Sequence, residues 1–124
     1  MNRILVCDDD REIVEAIEIY LQQEGYEVVK AYDGAEVLEI LGRQNVDLLI
    51  IDVMMPKLDG IRATLKIREG SSIPIIILSA KSEDADKILG LNIGADDYLT
   101  KPFNPLELVA RVKSQIRRYT KLGN

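Results

Sequence analysis

Residues 48–56 read Leu48-Leu49-Ile50-Ile51-Asp52-Val53-Met54-Met55-Pro56, four apolar residues running without interruption into one carboxylate. A short apolar run of this kind suits a strand buried on both faces, as in a parallel sheet covered by helices. Asp52 then stands where the strand ends, and Pro56 closes the loop behind it. Ligands of open parallel sheets bind beyond the carboxyl ends of the strands, so a carboxylate there is a candidate for chemistry.

Working outward, the chain alternates. Arg3 to Cys7 (RILVC) predicts a first strand, closed by Asp8, Asp9 and Asp10. Asp10 is placed to cap a helix from Arg11 to about Glu24, with Ile13, Ile17 and Leu21 at helical spacing and Gly25 as its stop. Glu27 to Ala31 is a half-polar second strand, followed by a helix from Ala35 to about Arg43 with Val37, Leu38 and Leu41 inward. The central strand is placed at Asp47 to Asp52 and the next helix at about Gly60 to Arg68. Ile75 to Ser79 predicts a fourth strand, about Glu83 to Asn92 a more polar helix, and Asp97 to Lys101 a fifth strand. Beyond Pro102 and Pro105 a last helix is expected from about Leu106 to Tyr119.

Five strand–helix units with short connections predict a doubly wound α/β fold with right-handed crossovers. The first, third and fourth strands are the most apolar and therefore central. Glu27, Lys30, Thr100 and Lys101 mark the second and fifth as edges, giving the flavodoxin-like order 2-1-3-4-5.

The 124 residues, 47% hydrophobic and 30% charged, suit one domain with its own core. A net charge of -5 offers no electrostatic footprint for nucleic acid. Cys7 is the single cysteine and there is no histidine, so an internal disulfide, histidine acid–base catalysis and histidine-bearing zinc sites are excluded. The start MNRILVCDDD lacks a secretory pattern and the apolar runs are too short for a membrane span, so a cytoplasmic location is expected.

The predicted strand order brings Asp8, Asp9 and Asp52 together above a crevice. Singly, each acid could be a cap or a surface group. Crowded together, they raise one another's pKa unless a cation intervenes, and a few oxygens with room for water suit Mg2+. Ser79 and Lys101 close the neighbouring strands. The set is equipped for phosphoryl chemistry: Asp52 can attack phosphorus, Lys101 and a metal can neutralise charge, and Ser79 can hydrogen-bond a phosphoryl oxygen.

Asp8-Asp9, Asp52 to Pro56 with Asp59-Gly60, Ser79-Ala80 and Lys101-Pro102-Phe103 fall in one order across the chain, and in this the sequence resembles the receiver domain of bacterial two-component response regulators. The resemblance implies that Asp52 accepts a phosphoryl group from a sensor histidine kinase. It implies an Mg2+ site from Asp8, Asp9, Asp52 and the Met54 backbone carbonyl, a phosphoryl contact from Lys101, a switch pair in Ser79 and Tyr98, and a cis Lys101-Pro102 bond. Met54 and Lys81 fall where receivers tune phosphoryl lifetime, and neither supplies a base, so slow decay is expected.

Lys87, Asp96, Asp97, Glu107, Arg111 and Arg118 resemble the charge set of the winged-helix (OmpR/PhoB-like) transcription-factor subfamily. That implies a phosphorylation-driven homodimer in which Lys87 pairs with Glu107, Asp97 with Arg111 and Asp96 with Arg118, around Ile88, Leu91 and Ala110. The stretch GADDYLTKPFNPLELVARVKSQIRRY is similar to vancomycin-resistance regulators. Residues 1–120 are then the receiver and 121–124 the start of a linker to a DNA-binding domain, so DNA would be contacted only through that further domain. Two other readings stand beside this one: a stand-alone receiver acting by protein contact, and an Mg2+-dependent phosphohydrolase with an aspartyl-phosphate intermediate. The hydrolase reading lacks a substrate-binding insert.

Overall fold

The computed structural model describes residues 2–55, 58–80, 92 and 94–120. Five parallel strands form one sheet in the order β2-β1-β3-β4-β5: β1 Arg3–Cys7, β2 Glu27–Ala31, β3 Leu48–Asp52, β4 Ile75–Ser79 and β5 Asp97–Thr100. Among the described residues four helices cover it: α1 Arg11–Gln23, α2 Gly34–Arg43, α3 Gly60–Arg68 and α4 Pro105–Arg118. This is the flavodoxin-like order expected from the sequence. The predicted helix near Glu83 to Asn92, together with Pro56, Lys81, Lys87, Ile88, Leu91 and residues 121–124, lies outside the described residues, Asn92 excepted.

The sheet divides the core into two layers because successive strand side chains point to opposite faces. Leu5, Leu49, Ile51, Ile75 and Ile77 face α2 and α3, where Val37, Ile40, Ala63 and Ile67 meet them. Ile4, Leu48, Ile50, Ile76 and Leu78 face α1 and α4, meeting Val14, Ile17, Leu21, Leu108 and Val112. All five residues of β3 and of β4 are buried, as the unbroken apolar runs require.

Several boundaries move by one residue. Asp10, Asp33 and Asp59 cap α1, α2 and α3 with their side chains. α2 therefore begins at Gly34 rather than Ala35. Asn104 accepts from the Leu106 and Glu107 amides, so α4 starts at Pro105, whose missing N–H costs nothing there. β3 starts at Leu48 because the Asp47 carboxylate is engaged by the Arg3 amide at 2.7 Å, and β5 ends at Thr100, before the cis Lys101-Pro102 bond. Two inward faces also turn. Val14 is buried in α1 while Ile13 is half-buried, and Ile40 in α2 goes deeper than Leu38 or Leu41, which pack on the flank. The free edge of β2 carries Glu27, paired with Arg3, and Lys30, paired with Glu18 of α1.

Candidate functional site

Each strand pointing into the crevice delivers one polar group at its carboxyl end. Asp8 follows β1, Asp52 ends β3, Ser79 ends β4 and Lys101 follows β5. Parallel pairing sets the heights: Cys7 lies opposite Ile51, Asp52 opposite Leu78 and Ser79 opposite Thr100. The Lys101 amide continues the ladder by donating to the Ser79 carbonyl at 2.7 Å. Hydrophobic strands thus carry the polar groups to the carboxyl edge of the sheet, at the rim of the core.

Asp8 is fully buried, and Asp52 and Ser79 are each 4% exposed, whereas Asp9 is on the surface. Lys101 Nζ lies 2.6 Å from Asp8 Oδ2 and 3.3 Å from Asp52 Oδ1. The other Asp8 oxygen accepts the Asp10 amide at 2.9 Å, which ties the acid to the cap of α1. One oxygen each of Asp8, Asp9 and Asp52 can be drawn from a set lying within 4.8 Å of one another.

Three carboxylates therefore face one ammonium. Burial, then the Asp8 charge, pushes the Asp52 carboxyl up from 3.8 to about 6, against the pull of Lys101. Asp8 is also raised, burial outweighing its contacts with Lys101 and Asp10. For Lys101 burial acts downward, but the hydrogen bond to Asp8 and the charges of Asp52 and Asp8 win and hold its pKa above the ordinary value. A divalent cation would complete this set: the donors are hard oxygens, they lie close enough to share one ion, and their surplus is negative. The same set of a carboxylate nucleophile, an ammonium and a hydroxyl can take a phosphoryl group.

The other sequence-predicted residues lie as follows. Met54 is 73% exposed on the loop after β3, and Tyr98 is half-buried against the α2–α3 layer. Asp97 and Arg111 pair with each other inside the chain at 2.6 Å, and Arg111 also reaches Glu107 at 3.1 Å. Asp96 is engaged by Arg68 and by the Ile75 amide, both at 2.8 Å. Ala110 and Arg118 are exposed on α4. Lys81, Lys87, Ile88 and Leu91 fall outside the described residues.

Arg68 is a residue that the sequence reading missed. Besides Asp96 it donates to the carbonyls of Gly94 and Ser71, bracing the end of α3 against the start of β5. A lone arginine in a last helical turn carries no local sign of partners 26 and 28 residues away. Also unread was a cleft of about 510 Å³ beside Lys101, walled by Ile13, Ala16, Tyr20 and Phe103. Its lining comes from α1 and its cap, from Ala80 after β4 and from the turn after β5 up to Pro105, so only the fold assembles it.

Comparison with family models matches residues 4–113 to the response regulator receiver domain. Regulatory protein VanR of Enterococcus faecium is 50% identical over 122 residues, which are 98% of this chain and 53% of VanR. That accords with the similarity noted for the closing stretch. The chain spans about half the length of the curated relatives it matches. Among solved structures, the Francisella response regulator 1452 receiver domain superposes with a TM-score of 0.91 at 41% identity, covering 95% of this chain and 98% of that one. Response regulator protein TrrA of Thermotoga maritima, solved in complex with Mg2+ and BeF, gives 0.84 at 38%, covering 93% and 99%.

Proposed function

The chain belongs to the family of response regulator receiver domains, and from that premise we propose that it is a phosphorylation-controlled switch whose acceptor is Asp52. The observation that carries this reading is the Lys101 ammonium set between two buried carboxylates, 2.6 Å from Asp8 and 3.3 Å from Asp52. In a fold that needed only stability, burying acids beside one another would be disfavoured. Here the arrangement keeps an anionic nucleophile beside a cation.

In the proposed reaction a carboxylate oxygen of Asp52 attacks the phosphorus of a phosphohistidine on a sensor histidine kinase. The phosphorus–nitrogen bond breaks as the acyl phosphate forms. Lys101 pairs with the phosphoryl group and the Ser79 hydroxyl donates to one of its oxygens. Asp8, Asp9, Asp52 and the Met54 backbone carbonyl would hold Mg2+, which when bound supplies positive charge to offset the carboxylates and the phosphoryl oxygens. The mainly apolar cleft beside Lys101, walled by Ile13, Ala16, Tyr20 and Phe103, supports docking of an amphipathic segment of the donor protein there.

The signal leaves through Ser79 and Tyr98, the hydroxyl moving toward phosphate and the ring turning into the space released. The output is a symmetric dimer through the fifth strand, the last helix and the segment at about 83–92. Since Asp97 and Arg111 already pair within one chain, the dimer forms by exchanging these partners across the two-fold axis. Lys87 with Glu107 and Asp96 with Arg118 complete the set. A DNA-binding domain after about residue 120, in a cytoplasmic regulator of transcription, would read the result. No helix among the described residues is long and apolar enough to cross a membrane.

The test is intact mass after incubation with Mg2+ and a small acyl phosphate, for this chain and for Asp52→Ala, followed by sizing. One added phosphoryl group lost in the variant, with a shift from monomer toward dimer, is the expected result. Uptake without dimerisation would sink the dimer, and no uptake would sink the receiver reading. With Met54 and Lys81 offering no base, the acyl phosphate should persist when no phosphatase is added.

A further inference from the structure

Two glycines near the acceptor, Gly60 and Gly34, are each approached closely by backbone. A Cβ on Gly60 would lie 2.1 Å from the carbonyl oxygen of Asp52 itself. A Cβ on Gly34 would lie 2.2 Å from the carbonyl oxygen of Leu58 and 2.9 Å from the Leu58 Cβ. The Gly60 amide also donates to the Val53 carbonyl at 3.0 Å, and the Thr64 hydroxyl returns to the Gly60 carbonyl at 2.8 Å. Gly60 opens α3 and is close in sequence to the acceptor. Gly34 is not: it opens α2, more than twenty residues before Leu58, and is buried.

We infer that Gly34 is a positioning residue for the acceptor site, holding Leu58, and through Asp59 and Gly60 the backbone of Asp52, at the height at which the Asp52 carboxylate can share an ion with Asp8 and Asp9. The atom it meets is backbone, which has no rotamer to escape into. Restoring ordinary contact between an added methyl and the Leu58 carbonyl requires a retreat of about 1 Å. Mg2+ binds at about 2.0–2.1 Å with near-ideal octahedral geometry, so a shift of that size passed through Gly60 to the backbone of Asp52 is costly. Asp33 keeps Gly34 in place by capping α2 through the Glu36 amide at 2.9 Å, while the Glu36 carboxylate accepts the Tyr32 amide at 3.3 Å. The start of α2 is thereby fixed to the end of β2, and Leu58 is fixed to the start of α2.

This inference rests on the receiver reading, and the experiment separates the two. Gly34→Ala is compared with the unaltered protein and with Gly42→Ala, on the same helix, where an added Cβ meets nothing within 4 Å. Mg2+ affinity is read by titration calorimetry, and phosphoryl uptake by intact mass at limiting and saturating Mg2+. The expected result is an Mg2+ affinity at least tenfold weaker in Gly34→Ala, with uptake recovering at saturating Mg2+, and no change in Gly42→Ala. If the unaltered protein takes up no phosphoryl group, the receiver reading falls. If it does, and Gly34→Ala binds Mg2+ as the unaltered protein does, the positioning role falls. Should Gly34→Ala not fold, Mg2+ is titrated into the unaltered protein and amide resonances are followed: Gly34 should shift together with Gly60 while Gly42 stays still, and a silent Gly34 overturns the inference.

Discussion

Two groups of charges lie at opposite ends of β5, and they are built on contrary rules. At its carboxyl end Lys101 faces Asp8, Asp9 and Asp52, three acids to one base, with Asp8 and Asp52 buried. At its amino end Asp96 and Asp97 each have an arginine, Arg68 and Arg111, in the open or half-open surface. The first group is left unbalanced with two of its three acids buried away from water; the second is balanced where water hardly lets it matter. A charge imbalance that burial preserves is a demand for a ligand, whereas paired surface charges set alignment at little energetic consequence.

The sharpest way to break this contrast is Lys101→Ala. It should lower stability at pH 7.5 without metal by about 3–5 kcal/mol, the usual consequence of stripping one partner from a buried ion pair. Urea unfolding reads it, and a loss no larger than that of a surface pair would erase the distinction.

Asp52→Asn should act in the opposite direction. A carboxyl raised from 3.8 to about 6 binds its proton more tightly in the folded chain, so the folded state is favoured by that group below about pH 4 and loses the benefit as pH rises through 6. Asparagine does not titrate. The variant should therefore be more stable than the unaltered protein by about 3 kcal/mol at pH 7.5 and equal to it near pH 4, from two pKa units at about 1.4 kcal/mol each. Thermal melts at both pH values decide it, equal stability at pH 7.5 being the adverse outcome.

Mg2+ should sharpen the same point. Added at pH 7.5 it should raise the melting temperature of the unaltered protein, at pH 4 it should do so far less because the Asp52 carboxyl is protonated, and in Asp52→Asn the rise should shrink at both. A metal response indifferent to pH would place the ion elsewhere. Smallest of all, Arg111→Ala should lower stability by less than about 1 kcal/mol, since its partners sit near solvent. Its larger effect is expected on sizing of the phosphorylated protein, where the monomer should persist.

How much of this was legible follows the range of each contact. The β3 and β4 runs announce buried strands because burial on both faces leaves no room for a polar residue. The Asp10 cap is local chemistry and stands where expected, whereas the Asp59 cap of α3 was not read from the sequence. Asp8, Asp52, Ser79 and Lys101 are readable as a site because parallel strands deliver their ends to one place. The inward face of α2 was less legible: Val37, Leu38, Ile40 and Leu41 are all apolar, and packing against the sheet chooses Val37 and Ile40. The contacts of Gly34 with Leu58 and of Arg68 with Asp96 were invisible, because they join residues 24 and 28 positions apart whose types carry no sign of one another.

The outer margin of β2 has a consequence for assembly. A parallel sheet with a free edge offers a row of unmatched amides and carbonyls to any extended chain, and crowded solutions exploit such rows to build insoluble ribbons. Here Glu27 is held by Arg3 and Lys30 by Glu18. An incoming strand would have to dismantle both pairs and accept charge in its own ladder. The edge is thus guarded against indiscriminate stacking, which matters most for a chain whose proposed work is to join one copy of itself on command.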